Sequence, residues 1–252
     1  MSTRVRLVIF LSAALGLAAA LGAALAGLPS FGSSTSLYSA LASHLSVSAR
    51  HATDAVAAVT FDFRGIDTLF EEFILFVAAA GVSVLLRPVA DEIRALPEEE
   101  APDRRIPAPS PTVGLLGTFL CPILVVIALE TITHGQISPG GGFQGGVILA
   151  SALFVVFLVT DSTAVERFQP KTRLELAEGA GAVGFVIVGA VALAFGAPYL
   201  TNIIPLGETG KLLSAGTIPV LNAVVGVEVA CAFVLMASEF LDQTAVIRGV
   251  DT

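Results

Sequence analysis

Charged side chains are scarce in this sequence, 13% of its 252 residues, where ordinary soluble domains carry roughly 25%. A soluble domain of this size needs more polar surface than that to cover its core. Lysine is nearly absent beside arginine, a bias of composition rather than a mechanism. There are only two cysteines, Cys121 and Cys231, and both lie in apolar runs, so neither a disulfide framework nor a cysteine metal cluster is expected. The net charge of −8 comes with no basic patch, which argues against nucleic-acid binding. No Ser/His/Asp arrangement, Cys/His ligand spacing or dinucleotide fingerprint occurs. No catalytic residue, metal or cofactor is therefore expected, and the chain is not read as an enzyme.

Apolar sequence is what the chain has in abundance: 55% of residues are hydrophobic, with a mean hydropathy of +0.87. Residues 7–28, 111–129 and 179–198 contain no Asp, Glu, Lys or Arg, and about 20 such residues cross a hydrocarbon core as a helix. The runs do not alternate as barrel strands do. The expected fold is an all-α, polytopic integral membrane protein of about six transmembrane helices: 7–28, 66–86, 112–133, 143–160, 177–197 and 215–238. The first run is longer than the roughly 15 residues of a signal-peptide core, so it is read as a retained helix. Residues 29–64 form the longest connection, with an amphipathic stretch from about Leu41 to Val59.

Residues 87–111 concentrate six prolines with Glu98, Glu99 and Glu100, a linker composition. The expected organisation is a two-span part (1–88), a cytoplasmic linker (89–110) and a four-span part (111–252). With a cytoplasmic N-terminus, Arg4, Arg6, Arg87, Arg94, Arg104, Arg105, Arg167, Lys171, Arg173 and Arg248 fall inside; Arg50, Arg64 and Lys211 fall outside. The positive-inside rule then places both termini in the cytoplasm. No internal repeat marks a self-sufficient transporter, so one component of something larger is favoured.

Few residues here can carry chemistry. Glu228 sits mid-span, where a charge costs about 2.5–3.5 kcal/mol on insertion scales. It must be protonated, paired or turned to a polar cavity, and a proton pathway and a structural bond to a partner both remain open. Asn222, six positions earlier, is off its helical face. Glu130 and His134 are four apart and share a face; they form either a proton-responsive pair or an interfacial hydrogen bond. Asp62, Arg64 and Asp67 cluster at the mouth of the second span, around Gly65. They are read either as a pair fixing how the helix meets the membrane or as part of a cation access site. Glu71 and Glu72 follow, about 100° apart on the helix, so at most one easily faces a shared interior. Asp161, Glu166, Glu175 and Glu178 flank an expected inner loop, with Glu178 deep enough to touch neighbours.

The most unusual stretch is His134-Gly135-Gln136-Ile137-Ser138-Pro139-Gly140-Gly141-Gly142-Phe143-Gln144-Gly145-Gly146. Three glycines after a proline leave backbone amides outside helix bonding, and open backbone near membrane depth needs cover from protein or a watery cavity. A tight turn between packed helices and the lining of an ion or water path are both compatible with it.

This stretch resembles the signature of the MnhB/MrpB-like subunits of the Mrp-type multisubunit Na+/H+ antiporters, and residues 111–240 fit their four-span pattern. Val59-Thr60-Phe61-Asp62-Phe63-Arg64-Gly65-Ile66-Asp67-Thr68-Leu69-Phe70-Glu71 resembles the C-terminal tail of the large A-type component of those antiporters. The same segment also occurs as the small E-type component of membrane-bound hydrogenases. The resemblance implies an accessory subunit that contributes to the ion path or to assembly. It implies large proton-channel subunits and small membrane subunits as partners, Na+ and H+ as the ions, and a multi-pass place in a prokaryotic inner membrane. It also favours Glu71 over Glu72. A place in the membrane arm of a related hydrogenase or redox-driven pump is the alternative it leaves. Two departures stand out: Gln136 occupies a position where the family often has a second His, and Thr118 precedes Pro122 where an Arg is common.

Overall fold

A computed structural model describes residues 3–30, 32, 36–86, 110–159 and 171–250. The linker up to residue 109, with Arg87, Arg94, Arg104 and Arg105, lies outside the described residues, as do Asp161, Glu166, Arg167 and the side chain of Arg248.

The described residues form helices and connections, without strands: α1 (Thr3–Ala26), α2 (Leu37–Arg50), α3 (Ala55–Ala58), a π turn (Val59–Phe63), α4 (Gly65–Leu86), α5 (Pro111–Thr133), α6 (Gly142–Val159), α7 (Lys171–Ala194) and α8 (Ile218–Val250). Five helices are long and apolar enough to cross a bilayer. The fourth expected span, α6, is apolar but has 18 residues, about 27 Å at 1.5 Å per residue. The protein is a multi-pass membrane protein.

The boundaries have local causes. Ser110 caps α5 by accepting the Val113 amide, and Pro111 takes the first helical position, where a missing N–H costs nothing. The fifth span begins at Lys171 rather than residue 177 because its polar first turn is helical without being apolar. The last begins at Ile218 rather than residue 215, since Ala215 and Gly216 have positive φ angles of 67° and 63°. The amphipathic stretch expected between Leu41 and Val59 is two helices, separated at His51 (φ 54°) and restarted by Asp54, whose carboxylate accepts the Val56 and Ala57 amides.

The chain divides into two compact units, Met1–Leu41 and Ala42–Thr252. Within the first, α1 exposes its apolar residues on every side. In the second, α8 is the central element, packed against α4, α5, α6 and α7, while α5 pairs with α6 and α4 also touches α7. Lipid competes with side chains for apolar contact, so such helices hold together by close backbone approach at small residues. A Cβ placed on Gly181 of α7 would come within 2.6 Å of Glu228 Cβ and 3.0 Å of its Cα. Phe61, Phe185, Ile218, Leu221, Val225 and Val229 fill the core around that crossing.

Candidate functional site

The segment from α3 to α4 makes the mouth of the bundle. Its wide turn closes with the Arg64 amide donating to the Val59 carbonyl at 2.8 Å, an i→i+5 geometry frequent at functional sites. Thr68 Oγ1 ties the turn to α4 by donating to the Thr60 carbonyl at 2.6 Å. The partners within the charged cluster are specific. Asp62 is bound by Arg50 of α2, with Nε 2.6 Å from Oδ1, and the Arg50 guanidinium also lies 5.7 Å from the centre of the Phe63 ring. Arg64 pairs instead with Asp67, one turn ahead. These groups line a cavity of about 480 Å³ with Tyr199 and Asn202. Burial raises the Tyr199 phenol above its ordinary value.

The glycine-rich loop starts where α5 ends at His134. The His134 Nδ1 lies 3.1 Å from the Glu130 carbonyl and 3.8 Å from its carboxylate, so the two side chains meet, both substantially exposed. Gln136 is fully buried and donates to the Leu212 carbonyl at 2.7 Å. Its own carbonyl accepts the amides of Thr53 and Asp54 at 3.1 and 3.2 Å. After the exposed Pro139, Gly140 and Gly141 adopt φ angles of 143° and 138°, a region that side chains disfavour. The chain then enters α6 at Gly142, whose amide donates to Asn222 Oδ1 at 2.7 Å. Asn222 is fully buried, and a Cβ on Gly141 would come within 2.7 Å of its Oδ1. Phe143 packs edge-on against Phe233, ring centres 6.4 Å apart.

The two stretches meet. A second cavity, about 150 Å³, has Thr60, Thr68 and Glu72 on one side and Gly141, Gln144 and Asn222 on the other. Glu71 also lines it, but its side chain is exposed, whereas Glu72 is 2% exposed. The inward carboxylate of that pair is therefore Glu72, not the Glu71 favoured from sequence, because the face of α4 that packs on α8 carries Thr68 and Glu72 four residues apart.

Deeper in the bundle, Glu228 is 0% exposed and neither carboxylate oxygen has a hydrogen-bond partner. Glu178 of α7, 5% exposed, likewise has one oxygen without a partner. Glu72 and Glu228 are close enough for their charges to interact, as are Glu228 and Glu178. At the far end of α7 and α8, Lys171 pairs with the buried Glu239.

The structure thus joins Asp62, Asp67, Gly65 and Arg64 at one cavity, and Glu71, Gly140, Gly141, Gly142, Phe143 and Gln144 at another. Glu130 and His134 pair with each other and line neither cavity. Sequence reasoning missed Arg50 as the partner of Asp62, Asn222 as the clasp of the glycine loop, and Glu239. The three glycines were the one available hint that a bulky polar group lay against that loop.

Residues 112–235 match a family described as a domain related to the MnhB subunit of Na+/H+ antiporter. An uncharacterized protein of Methanocaldococcus jannaschii is 31% identical over 191 residues, covering 69% of this chain and 71% of that one. The B-type subunit of the Na(+)/H(+) antiporter of Bacillus subtilis is 34% identical over 80 residues, 32% of this chain and 55% of that one. A Rhizobium meliloti protein designated the A/B component of a "Probable K(+)/H(+) antiporter" is 26% identical over 197 residues, 68% of this chain but only 18% of that one. Among solved structures, a chain of the membrane-bound sulfane sulfur reductase, an archaeal respiratory membrane complex, superposes with a TM-score of 0.71 at 26% identity. That match covers 94% of this chain and 98% of the other. A chain of the Mrp complex from Dietzia sp. DQ12-45-1b gives 0.72 at 21% identity, covering 95% of this chain and 26% of the other, a likeness of fold.

Proposed function

The chain belongs to the family of the domain related to the MnhB subunit of Na+/H+ antiporter, and from that membership we propose that it is an accessory membrane subunit of an Mrp-type cation/proton antiporter. Its partners are the other subunits of that complex, large proton-channel subunits and small membrane subunits. Its medium is a prokaryotic inner membrane, with both termini in the cytoplasm. Residues 1–88 serve as the counterpart of the tail of the large A-type component and residues 111–252 as that of the MnhB-type component, with 89–110 linking them. Similarity to a relative designated an A/B component, extending over 68% of this chain, supports that division.

One observation carries the reading beyond family membership: the two motif stretches, far apart in sequence, line a single cavity with two carboxylates on its wall. A cavity with carboxylates on its wall below an open loop suits passage of a small cation or a proton. Glu71 supplies a carboxylate on its wall, Asp67 one at the separate cavity beside Arg64, Glu130 and His134 a second polar pair at the same end of the bundle, and Glu228 an acid farther in. Asp62, Arg64, Gly65, Pro139 and the glycines hold the backbone around them. Deleting this chain from the complex should abolish sodium-dependent proton exchange in everted membrane vesicles; unchanged exchange and assembly without it would sink the proposal.

A second reading rests on the match to 98% of a chain from the sulfane sulfur reductase complex: a place in the membrane arm of a redox-driven ion pump. Mild-detergent purification of the tagged chain separates the two. Iron–sulfur subunits in the same complex favour the redox pump, and antiporter subunits alone favour the exchanger.

A further inference from the structure

The buried carboxylates lie at successive depths on three helices. Counted at 1.5 Å per residue, Glu72 is about 10 Å from the start of α4 and Glu228 about 15 Å from the start of α8, both measured from the glycine-loop end. Glu178 is about 10 Å from the start of α7 at the opposite end, where Lys171 meets Glu239. Each of the three is more than nine-tenths buried, and each has an oxygen without a hydrogen-bond partner. Gly181 lets the backbones of α7 and α8 close directly over Glu228, which brings Glu178 and Glu228 into one seam.

The groups facing this row are nearly all acidic. Glu72 lies within electrostatic reach of Glu228 and, on the outward side of α4, of Glu71. Glu228 lies within reach of Glu178. Glu178 lies within reach of Glu175, and Cys231 of α8 is near it. The α6 helix packed against α8 has no titratable side chain, and α5 offers only Cys121 and Glu130. Of the basic residues on the described spans packed around α8, Lys171 is held by Glu239 and Arg173 is exposed. Among the described residues, no three His, Cys, Asp or Glu side chains converge as a metal cage would require. The acids form a row rather than a cage. Buried like charges without a counter-cation cannot all be ionised together.

We propose that Glu72, Glu228 and Glu178 form a proton relay running from the cavity beneath the glycine loop through the α4–α8–α7 seam to the end marked by Lys171 and Glu239. Each step moves one proton from a carboxyl oxygen to the next carboxylate, leaving the donor ionised and breaking no other bond. The relay rests on the antiporter reading and deepens it: Glu178, which flanks an expected loop, becomes a member of the path, and Glu72 replaces Glu71 as its first inward group.

The test uses the assembled complex in everted vesicles, with exchange measured across a pH series. Glu178→Gln and Glu228→Gln should each lower exchange at least tenfold and change the shape of the pH profile. The double variant should be no worse than either single one, because the steps are in series. Glu178→Asp, which keeps the carboxyl, should recover a substantial part of the rate and the wild-type profile. Wild-type rate and profile in assembled Glu178→Gln complex would overturn the relay, as would multiplying losses in the double variant. Loss of assembly in both Glu178→Gln and Glu178→Asp would make the residue structural, which also overturns it. The antiporter reading would survive any of these results if deleting the whole chain still abolished exchange.

Discussion

The mouth of the bundle and its interior seam both contain carboxylates, but they treat them in opposite ways. At the mouth, Asp62 is held by Arg50 and Asp67 by Arg64, so each acid carries its own counter-charge. In the seam, Glu72, Glu228 and Glu178 are buried against apolar and acidic neighbours without a cation among the described residues. An ion pair near water fixes geometry at modest net cost or gain. A buried acid without a partner is a liability to folding, and its retention at three successive depths makes sense as function. The comparison separates residues that hold the helices in place from residues that give the interior a path.

Thermal unfolding of the solubilised complex can break or sharpen that contrast. The largest effect expected is from Gly181→Leu, whose side chain would be driven into the Glu228 backbone; overpacking of this kind costs about 3 kcal/mol and should prevent stable assembly. Arg50→Ala leaves Asp62, 7% exposed at its side chain, without its partner. Breaking a buried pair costs about 3–5 kcal/mol, and the partial exposure of Arg50 reduces the expected loss to about 2 kcal/mol. Glu228→Leu should change stability by less than about 1 kcal/mol, since apolar replacement of buried charge is often neutral or stabilising, yet exchange should fall at least tenfold. A large loss of stability there, matching that of Arg50→Ala, would erase the distinction between the two regions. The smallest change belongs to Arg64→Ala: both members of its pair are more than half exposed, and such pairs contribute about 0.5 kcal/mol.

Much of the architecture was legible from the chain itself. Apolar runs long enough to cross a bilayer located most span boundaries to within a few residues; the larger misses, at the start of α7 and where α8 runs on to Val250, as well as the small one at Ile218, came from features hydropathy does not register. A polar first turn can be helical, and a pair of positive-φ residues can delay a helix whose sequence is already apolar. The two motif stretches were recognisable as unusual because proline, glycine and charge are rare beside such runs. Their convergence on one cavity was not legible, because it depends on α4 and the α5–α6 loop reaching the same face of α8.

The acids show where the limit lies. Helical geometry alone dictates that Glu71 and Glu72 point about 100° apart, so one of them had to turn away from any shared interior. Which one turns inward depends on the neighbour, and α8 packs on the side that carries Thr68 and Glu72. Asn222 and Glu228 share no face by spacing, and the structure respects that: Asn222 clasps the glycine loop, while Glu228 lies against Gly181 of α7. Composition and hydropathy along the chain suffice for a bundle of membrane helices with acids in costly places. Which acids share a seam follows from the packing, because it depends on how closely two backbones approach, and glycine on one helix permits the approach without naming its partner.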